Sequence, residues 1–251
     1  MQKILSILDI NLQSKYYQNK AIKKDKAMKV FYINLEKRKD RKDHMEKMLS
    51  KLNLDYERFP AICPTIEEIK FGKYKKFYDK ACERIKSFAD TERQYPRAIG
   101  VFGCYLSHFM IHESQASHNQ PYIILEDDAS ISKDTFTKLN KITCSNNFED
   151  WDIIRSVWEQ KAFGVKHLDK DTFTFKGVHE DSKFSKTCKT HNFFGGSHFC
   201  VFKNSQKILK YLYSENLMAT DSLYSTCKLN VYCSKELSQI AGYSSDIPKI
   251  K

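Results

Sequence analysis

Three consecutive carboxylates, Glu126-Asp127-Asp128, follow the apolar run Pro121-Tyr-Ile-Ile-Leu125. Like charges at such spacing repel, and placing them together at the end of a buried segment makes sense if a cation neutralises them. Carboxylate oxygen is the donor that Mg²⁺ and Mn²⁺ prefer. In an extended segment residues i and i+2 share a face, which assigns Glu126 and Asp128 to the metal. Asp127 then faces elsewhere or reaches a ligand. A dication held here would bridge a diphosphate and stabilise it as a leaving group. The same residues also suit a solvated loop, or a helix N-cap at Asp128.

The elements that would position such a group are legible around it. Lys29-Val-Phe-Tyr-Ile-Asn-Leu35 is rich in β-branched and aromatic residues and reads as a buried strand. A charged turn follows from Glu36 to Asp40, and Met45, Met48, Leu49 and Leu52 then mark one helix face. Tyr56 to Ile62 reads as a second strand, ended by Pro64. The order strand, helix, strand opens a parallel α/β sheet. Ligands of such sheets lie beyond the carboxyl ends of the strands, which is where Asn34, Arg38 and Arg41 fall. The arginines suit phosphate, or else a solvated turn in a lysine-rich stretch.

Further along, Gly100 to Ser117 reads as a helix packed through Phe102, Leu106, Phe109 and Met110, and residues 121–125 as the strand that carries the acidic triplet. Strands are expected at 151–155, 172–176 and 198–202, and helices at 204–213 and 221–228. Residues 3–27 have helical amphipathic spacing through Ile4, Leu8, Leu12 and Tyr16, and 65–98 suggest short helices and a mobile loop. No repeat or low-complexity linker divides the chain, so one continuous domain is expected after an N-terminal extension over 1–28.

Composition bounds the function. At 41% hydrophobic and 13% aromatic, the chain can bury a sizeable core and is not a disordered or fibrous sequence. No apolar run approaches the roughly 18 residues that span a bilayer. Asp9 interrupts the apolar start, no small-residue cleavage site follows, and a signal peptide is not expected. Eight cysteines include no Cys-x-x-Cys pair, which argues against a structural zinc site and suits reduced thiols in the cytoplasm. The net charge of +11 is concentrated: Lys15 to Lys51 carries thirteen Lys or Arg against five Asp or Glu. Such a face attracts anionic membranes or phosphorylated ligands, or is simply solvated. No zinc finger or aromatic-basic motif supports nucleic acid binding.

Several blocks resemble glycosyltransferase family 25. Val30-Phe-Tyr-Ile-Asn-Leu-Glu-Lys-Arg-Lys-Asp-Arg41 is similar to the family's opening, and Arg58-Phe-Pro-Ala61 to its second strand. Gly100-Val-Phe-Gly-Cys-Tyr-Leu-Ser-His108 resembles its Gly-Glu-Ile-Gly-Cys-x-x-Ser-His block, with Val101 in place of Glu. Ile124-Leu-Glu-Asp-Asp128 matches its metal motif. Gly195-Gly-Ser-His-Phe199 and Asp221 resemble its later segments, with Cys200 where an aliphatic residue is usual.

The resemblance implies an α/β, single-domain nucleotide-diphospho-sugar transferase (GT-A-like) fold with a mostly parallel central sheet flanked by helices. Residues 29–130 would be the nucleotide-sugar half and 131–251 the acceptor half. It implies an inverting transferase that moves galactose or glucose from a UDP-sugar, with Mn²⁺ or Mg²⁺, to an oligosaccharide or lipid-linked acceptor of lipopolysaccharide or lipooligosaccharide core. Such an enzyme would sit in the cytoplasm, docked peripherally at the inner face of the membrane through the basic 15–51 region. A non-catalytic anionic-surface or polyanion-binding protein of the same fold is the competing expectation.

Within that frame Glu126 and Asp128 hold the metal, and Asn34, Arg38, Arg41, Asp127, Gly196 and His198 the donor. Asp221 matches the family's late Asp and is the candidate general base, or an N-cap of the helix that follows. His198 either faces the donor or is a hydrogen-bonded core residue, and Gly195-Gly196 allow close backbone approach or a plain turn. Ser107 and His108 are expected to satisfy buried backbone groups beneath the sheet.

Overall fold

The computed structural model describes residues 28–72, 74–75, 95–144, 151–156, 165–167, 173–176, 198–210, 220–225, 229–234 and 239–240. The N-terminal extension and Gly196 lie outside the described residues.

β1 (Lys29–Asn34) is paired in parallel on one side with β2 (Tyr56–Pro60) and on the other with β3 (Tyr122–Glu126). Between them run α1 (Lys39–Lys51), α2 (Ile66–Lys70) and α3 (Tyr95–Ser114). The remaining elements are β4 (Ala129–Ser130), α4 (Lys133–Cys144), β5 (Ile153–Ser156), β6 (Val165–His167), β7 (Phe173–Lys176), β8 (Phe199–Phe202), α5 (Ser205–Ile208), α6 (Thr220–Ser225), β9 (Asn230–Ser234) and β10 (Gln239–Ile240). The main sheet has the order β2-β1-β3-β8-β5-β9-β7-β6, and β4 pairs with β10 in a separate ribbon. β1, β2, β3, β5, β6 and β9 run one way, and β7 and β8 run against them. The sheet is therefore mixed but mostly parallel in strand direction, with β8 inserted antiparallel between β3 and β5.

Alternation along the strands builds two cores. Val30, Tyr32, Ile123, Leu125, Phe199 and Val201 face one side and pack on Met45 and Leu49 of α1. Phe31, Ile33, Tyr122, Ile124, Cys200 and Phe202 face the other and pack on Phe102, Tyr105 and Leu106 of α3 and Tyr224 of α6. Period-2 side-chain placement makes both faces apolar, so these strands read as unbroken hydrophobic runs.

α1 buries Arg41, Met45 and Leu49, a stripe at i, i+4 and i+8. The stripe that anchors the helix therefore also carries Arg41 to the carboxyl end of the sheet. The helix stops at Asn53, whose φ of 52° is left-handed. Leu54 N–H donates to Leu49 O and Asn53 N–H to Ser50 O, the paired bonds of a Schellman ending, for which Asn is second to Gly.

α3 begins at Tyr95, before the expected Gly100, and ends at Ser114. It lies close against the segment after β2: a Cβ on Gly103 would run into the Ile62 carbonyl oxygen and press on Pro64. Ser107 sits one turn on. Its Oγ accepts from Ile62 N at 2.8 Å and donates to Gly103 O at 2.7 Å, the backbone-satisfying role expected of it. Asp128 is not a helix N-cap. It lies in the turn between β3 and β4, and the cap of α4 is Ser132, whose Oγ accepts from Thr135 N at 3.1 Å.

Candidate active site

The carboxyl ends of β1 and β3 meet at a buried hub. The Asn34 amide donates from Nδ2 to Asp127 Oδ2 at 2.8 Å and to Arg38 O at 3.1 Å, and its Oδ1 accepts from Arg58 Nε at 3.0 Å. Arg41 NH1 donates to Asp127 Oδ1 at 2.5 Å. Asn34, Arg41 and Asp127, each expected at the donor, thus meet one another. Their pairing locks the middle carboxylate of the triplet to β1 and α1, as a buried charge requires. Arg58 continues the network outward to Glu36 Oε2 at 2.7 Å, and its guanidinium holds the Glu36 carboxyl below its ordinary value. Arg38 donates to Asp40 through Nε at 3.0 Å and NH2 at 2.9 Å, and that bond, the largest cause, holds the Asp40 carboxyl down near pH 2.

With Asp127 fixed, its neighbours face the site. Asp128 is pushed up to about 6, first by burial and then by the charge of Glu126 beside it, against a lowering by Arg41. Arg41 NH1 is 3.9 Å from Asp128 Oδ2, while the buried Oδ1 has no hydrogen-bond partner. An orphaned carboxylate oxygen next to a second carboxylate fits a hard dication. Glu126 N–H donates to His198 O at 2.9 Å, so the residue just before β8 pins the end of β3. His198 is itself buried.

On its other side Glu126 meets α3. Cys104, His108 and Glu126 bring one thiol, one imidazole and one carboxylate oxygen within 4.8 Å of one another. Cys104 Sγ is 3.6 Å from Glu126 Oε1 and 3.4 Å from Thr220 Oγ1, the first residue of α6. Asp221 is the next residue of α6, so its backbone stands beside this cluster. Behind His108 lies a buried chain of rings. Tyr224 OH is 2.9 Å from His108 Nδ1 and 2.8 Å from His112 Nε2, and His112 Nδ1 is 2.5 Å from Tyr122 OH. Full burial depresses the His112 imidazole well below its ordinary value, with His108 a lesser cause, so His112 is neutral.

Arg58, Cys104, His108 and Tyr224 were not expected at the site. The available signal was the helical spacing of Cys104 and His108, one turn apart on the face that meets the sheet.

A charge-linked carboxylate triplet at the end of a central strand, its middle member buried, is an arrangement that suits a metal and a phosphorylated ligand. The sequence model of Glycosyltransferase family 25 (LPS biosynthesis protein) matches residues 27–224, and the chain belongs to this family. It is 37% identical over 100 residues to a Glycosyltransferase 25 family member of Anopheles gambiae, covering 39% of this chain and 16% of that protein. A family member from Aedes aegypti is 29% identical over 144 residues, covering 57% and 22%. Procollagen galactosyltransferase 1-B of Xenopus laevis is 28% identical over 133 residues, covering 50% and 20%. The matched stretches span about a quarter or less of these animal relatives.

Proposed function

We propose that the chain transfers a hexose, galactose or glucose, from a UDP-sugar to a saccharide acceptor with inversion at the anomeric carbon. The observation that carries this reading is the pairing of Glu126 with the orphaned Asp128 oxygen at the end of β3, in a chain of glycosyltransferase family 25. Glu126 and Asp128 are the residues that would hold Mn²⁺ or Mg²⁺. Such an ion supplies positive charge to the diphosphate as it leaves.

The chain's own residues do the rest. Asn34, Arg41 and Asp127 act on the donor by setting the position of Asp128, and Arg38, at the head of α1 and bound to Asp40, would exchange that carboxylate for phosphate. His198 holds Glu126 through its backbone carbonyl, and Gly196 is assigned to the donor sugar. Asp221 takes the proton of the acceptor hydroxyl as it attacks from the face opposite UDP. The acceptor is an oligosaccharide or lipid-linked saccharide of the lipopolysaccharide core type, reached from the cytoplasmic side with loose docking of the basic 15–51 region on an anionic membrane. The galactosyl transfer named for the procollagen relatives favours galactose as donor sugar.

The test is a donor screen by hydrolysis with and without Mn²⁺. UDP release from UDP-galactose or UDP-glucose that needs the metal is expected. No turnover, with salt-sensitive binding of anionic liposomes or polyanions instead, would favour a non-catalytic member of the family.

A further inference from the structure

A buried chain of rings holds His108 from behind. Tyr224 OH is 2.9 Å from His108 Nδ1 and 2.8 Å from His112 Nε2, and His112 Nδ1 meets Tyr122 OH at 2.5 Å. Both ring nitrogens of His112 and Nδ1 of His108 thus have a hydroxyl partner, and Nε2 of His108 is the ring nitrogen on the side of Glu126.

His108 Nε2 has no hydrogen-bond partner, although His108 is fully buried, and it lies 3.7 Å from Glu126 Oε1. This separation is too long for a hydrogen bond. A buried imidazole nitrogen without a partner beside a carboxylate oxygen is a pair of ligand atoms that suits a cation. Cys104 Sγ, 3.6 Å from the same Glu126 oxygen, supplies a third donor. With zinc–sulfur bonds of about 2.3 Å and zinc–nitrogen or –oxygen bonds of about 2.0–2.1 Å, the edges of a tetrahedron are about 3.4–3.6 Å. The two spacings to Glu126 Oε1, 3.6 Å from Cys104 Sγ and 3.7 Å from His108 Nε2, are close to these edges, and all three atoms lie within 4.8 Å of one another.

We propose that Cys104, His108 and Glu126 form a binding site for a borderline divalent ion of the zinc class. Thiolate with imidazole selects such an ion over Mg²⁺ or Mn²⁺, which the Glu126–Asp128 side suits. Cys104 binds as thiolate and releases its proton to solvent, so affinity rises with pH. The Tyr224 hydroxyl holds the His108 ring and its tautomer from behind, as outer partners of metal-bound histidine do. Three protein donors leave a fourth position for water or a ligand, and Glu126 is 28% exposed. The site shares Glu126 with the proposed transfer reaction and does not rest on that reaction.

Cobalt titration of the chelator-treated full chain tests this. We expect a thiolate-to-cobalt charge-transfer band and intense visible bands of four-coordinate cobalt, saturating at one ion per chain and bleached by one equivalent of Zn²⁺. Cys104→Ser should lose the charge-transfer band. Tyr224→Phe should keep the bands but bind cobalt about tenfold or more weakly. The proposal is overturned by the absence of a thiolate band, by its persistence in Cys104→Ser, or by an unchanged cobalt affinity in Tyr224→Phe. X-ray absorption of the zinc-loaded wild type needs no variant: one sulfur among nitrogen and oxygen donors is expected, and a shell without sulfur overturns the site. These readouts are spectroscopic, so loss of UDP-sugar turnover alone would count against the transfer reading and not against this one.

Discussion

At the scale of single residues, the three carboxylates of one motif have three different environments. Asp127 is buried against Arg41 and Asn34, Asp128 is half-desolvated with one orphaned oxygen, and Glu126 faces α3. Replacing Asp127 by Asn would take from the buried Arg41 cation its close counter-charge and leave it the Asp128 carboxylate at 3.9 Å. Breaking such a pair costs about 3–5 kcal/mol, and chemical denaturation of Asp127→Asn should show a loss of that order. Asp128 gives a pH signature. Its carboxyl titrates near 6, so a proton competes with any metal there below that pH. Mn²⁺ affinity measured by calorimetry should be about tenfold weaker at pH 5 than at pH 7, whereas an ordinary aspartate would give almost no change. The sign for stability follows from the same shift. A carboxyl raised in the folded state disfavours folding once it ionises, so metal-free protein should lose stability as pH rises from about 4 through about 6. Glu126 and Asp128 were assigned together to a metal on period-2 strand geometry, but 127 and 128 form a turn rather than continued strand, so that spacing rule does not apply to them. The partner of Asp127 was not legible, because Asn34 is 93 residues away and only the β1–β3 pairing brings it near.

At the scale of elements, the strand–helix–strand opening was readable because each piece carries its own local pattern. β1, α1, β2 and β3 stand within a residue or two of their expected bounds. The reversed β8 was expected as a strand, but its direction is set by long-range pairing that no local pattern reports. β4 and β10, two residues each, are too short to show any period. α4 was missed, although Ser132 and its Thr135 bond are an ordinary start signal. The position of α3 is the element-level condition for the site, since it sets Cys104 and His108 against Glu126. Gly103 allows that approach. Gly103→Ala would force the helix off the Ile62 carbonyl, and a destabilisation of about 1–3 kcal/mol is expected in thermal unfolding. A Val101→Ala change on the same helix lacks that contact and serves as the control, with a smaller shift.

At the scale of the whole molecule, the sheet joins two parallel pairings, β2-β1-β3 and β5-β9, across the antiparallel β8. This arrangement brings the ends of β1 and β3 together with the start of β8, where the acidic hub sits. The fold class followed from the order of elements and the family resemblance, and no helix among the described residues is long and apolar enough to cross a membrane. Residues 131–251 were the less legible part, because strands of two to five residues carry weak periodic signals. The basic 15–51 region joins the described molecule only from Met28 onward, through β1 and the exposed side of α1. The central claim is that Asp128 serves a metal-dependent UDP-sugar transferase. UDP release from UDP-galactose and UDP-glucose, measured with and without Mn²⁺ for wild type and Asp128→Asn, tests it most directly. Metal-dependent release by the wild type and a loss of roughly 100-fold or more in the variant are expected. Full metal-dependent activity in Asp128→Asn would contradict the account.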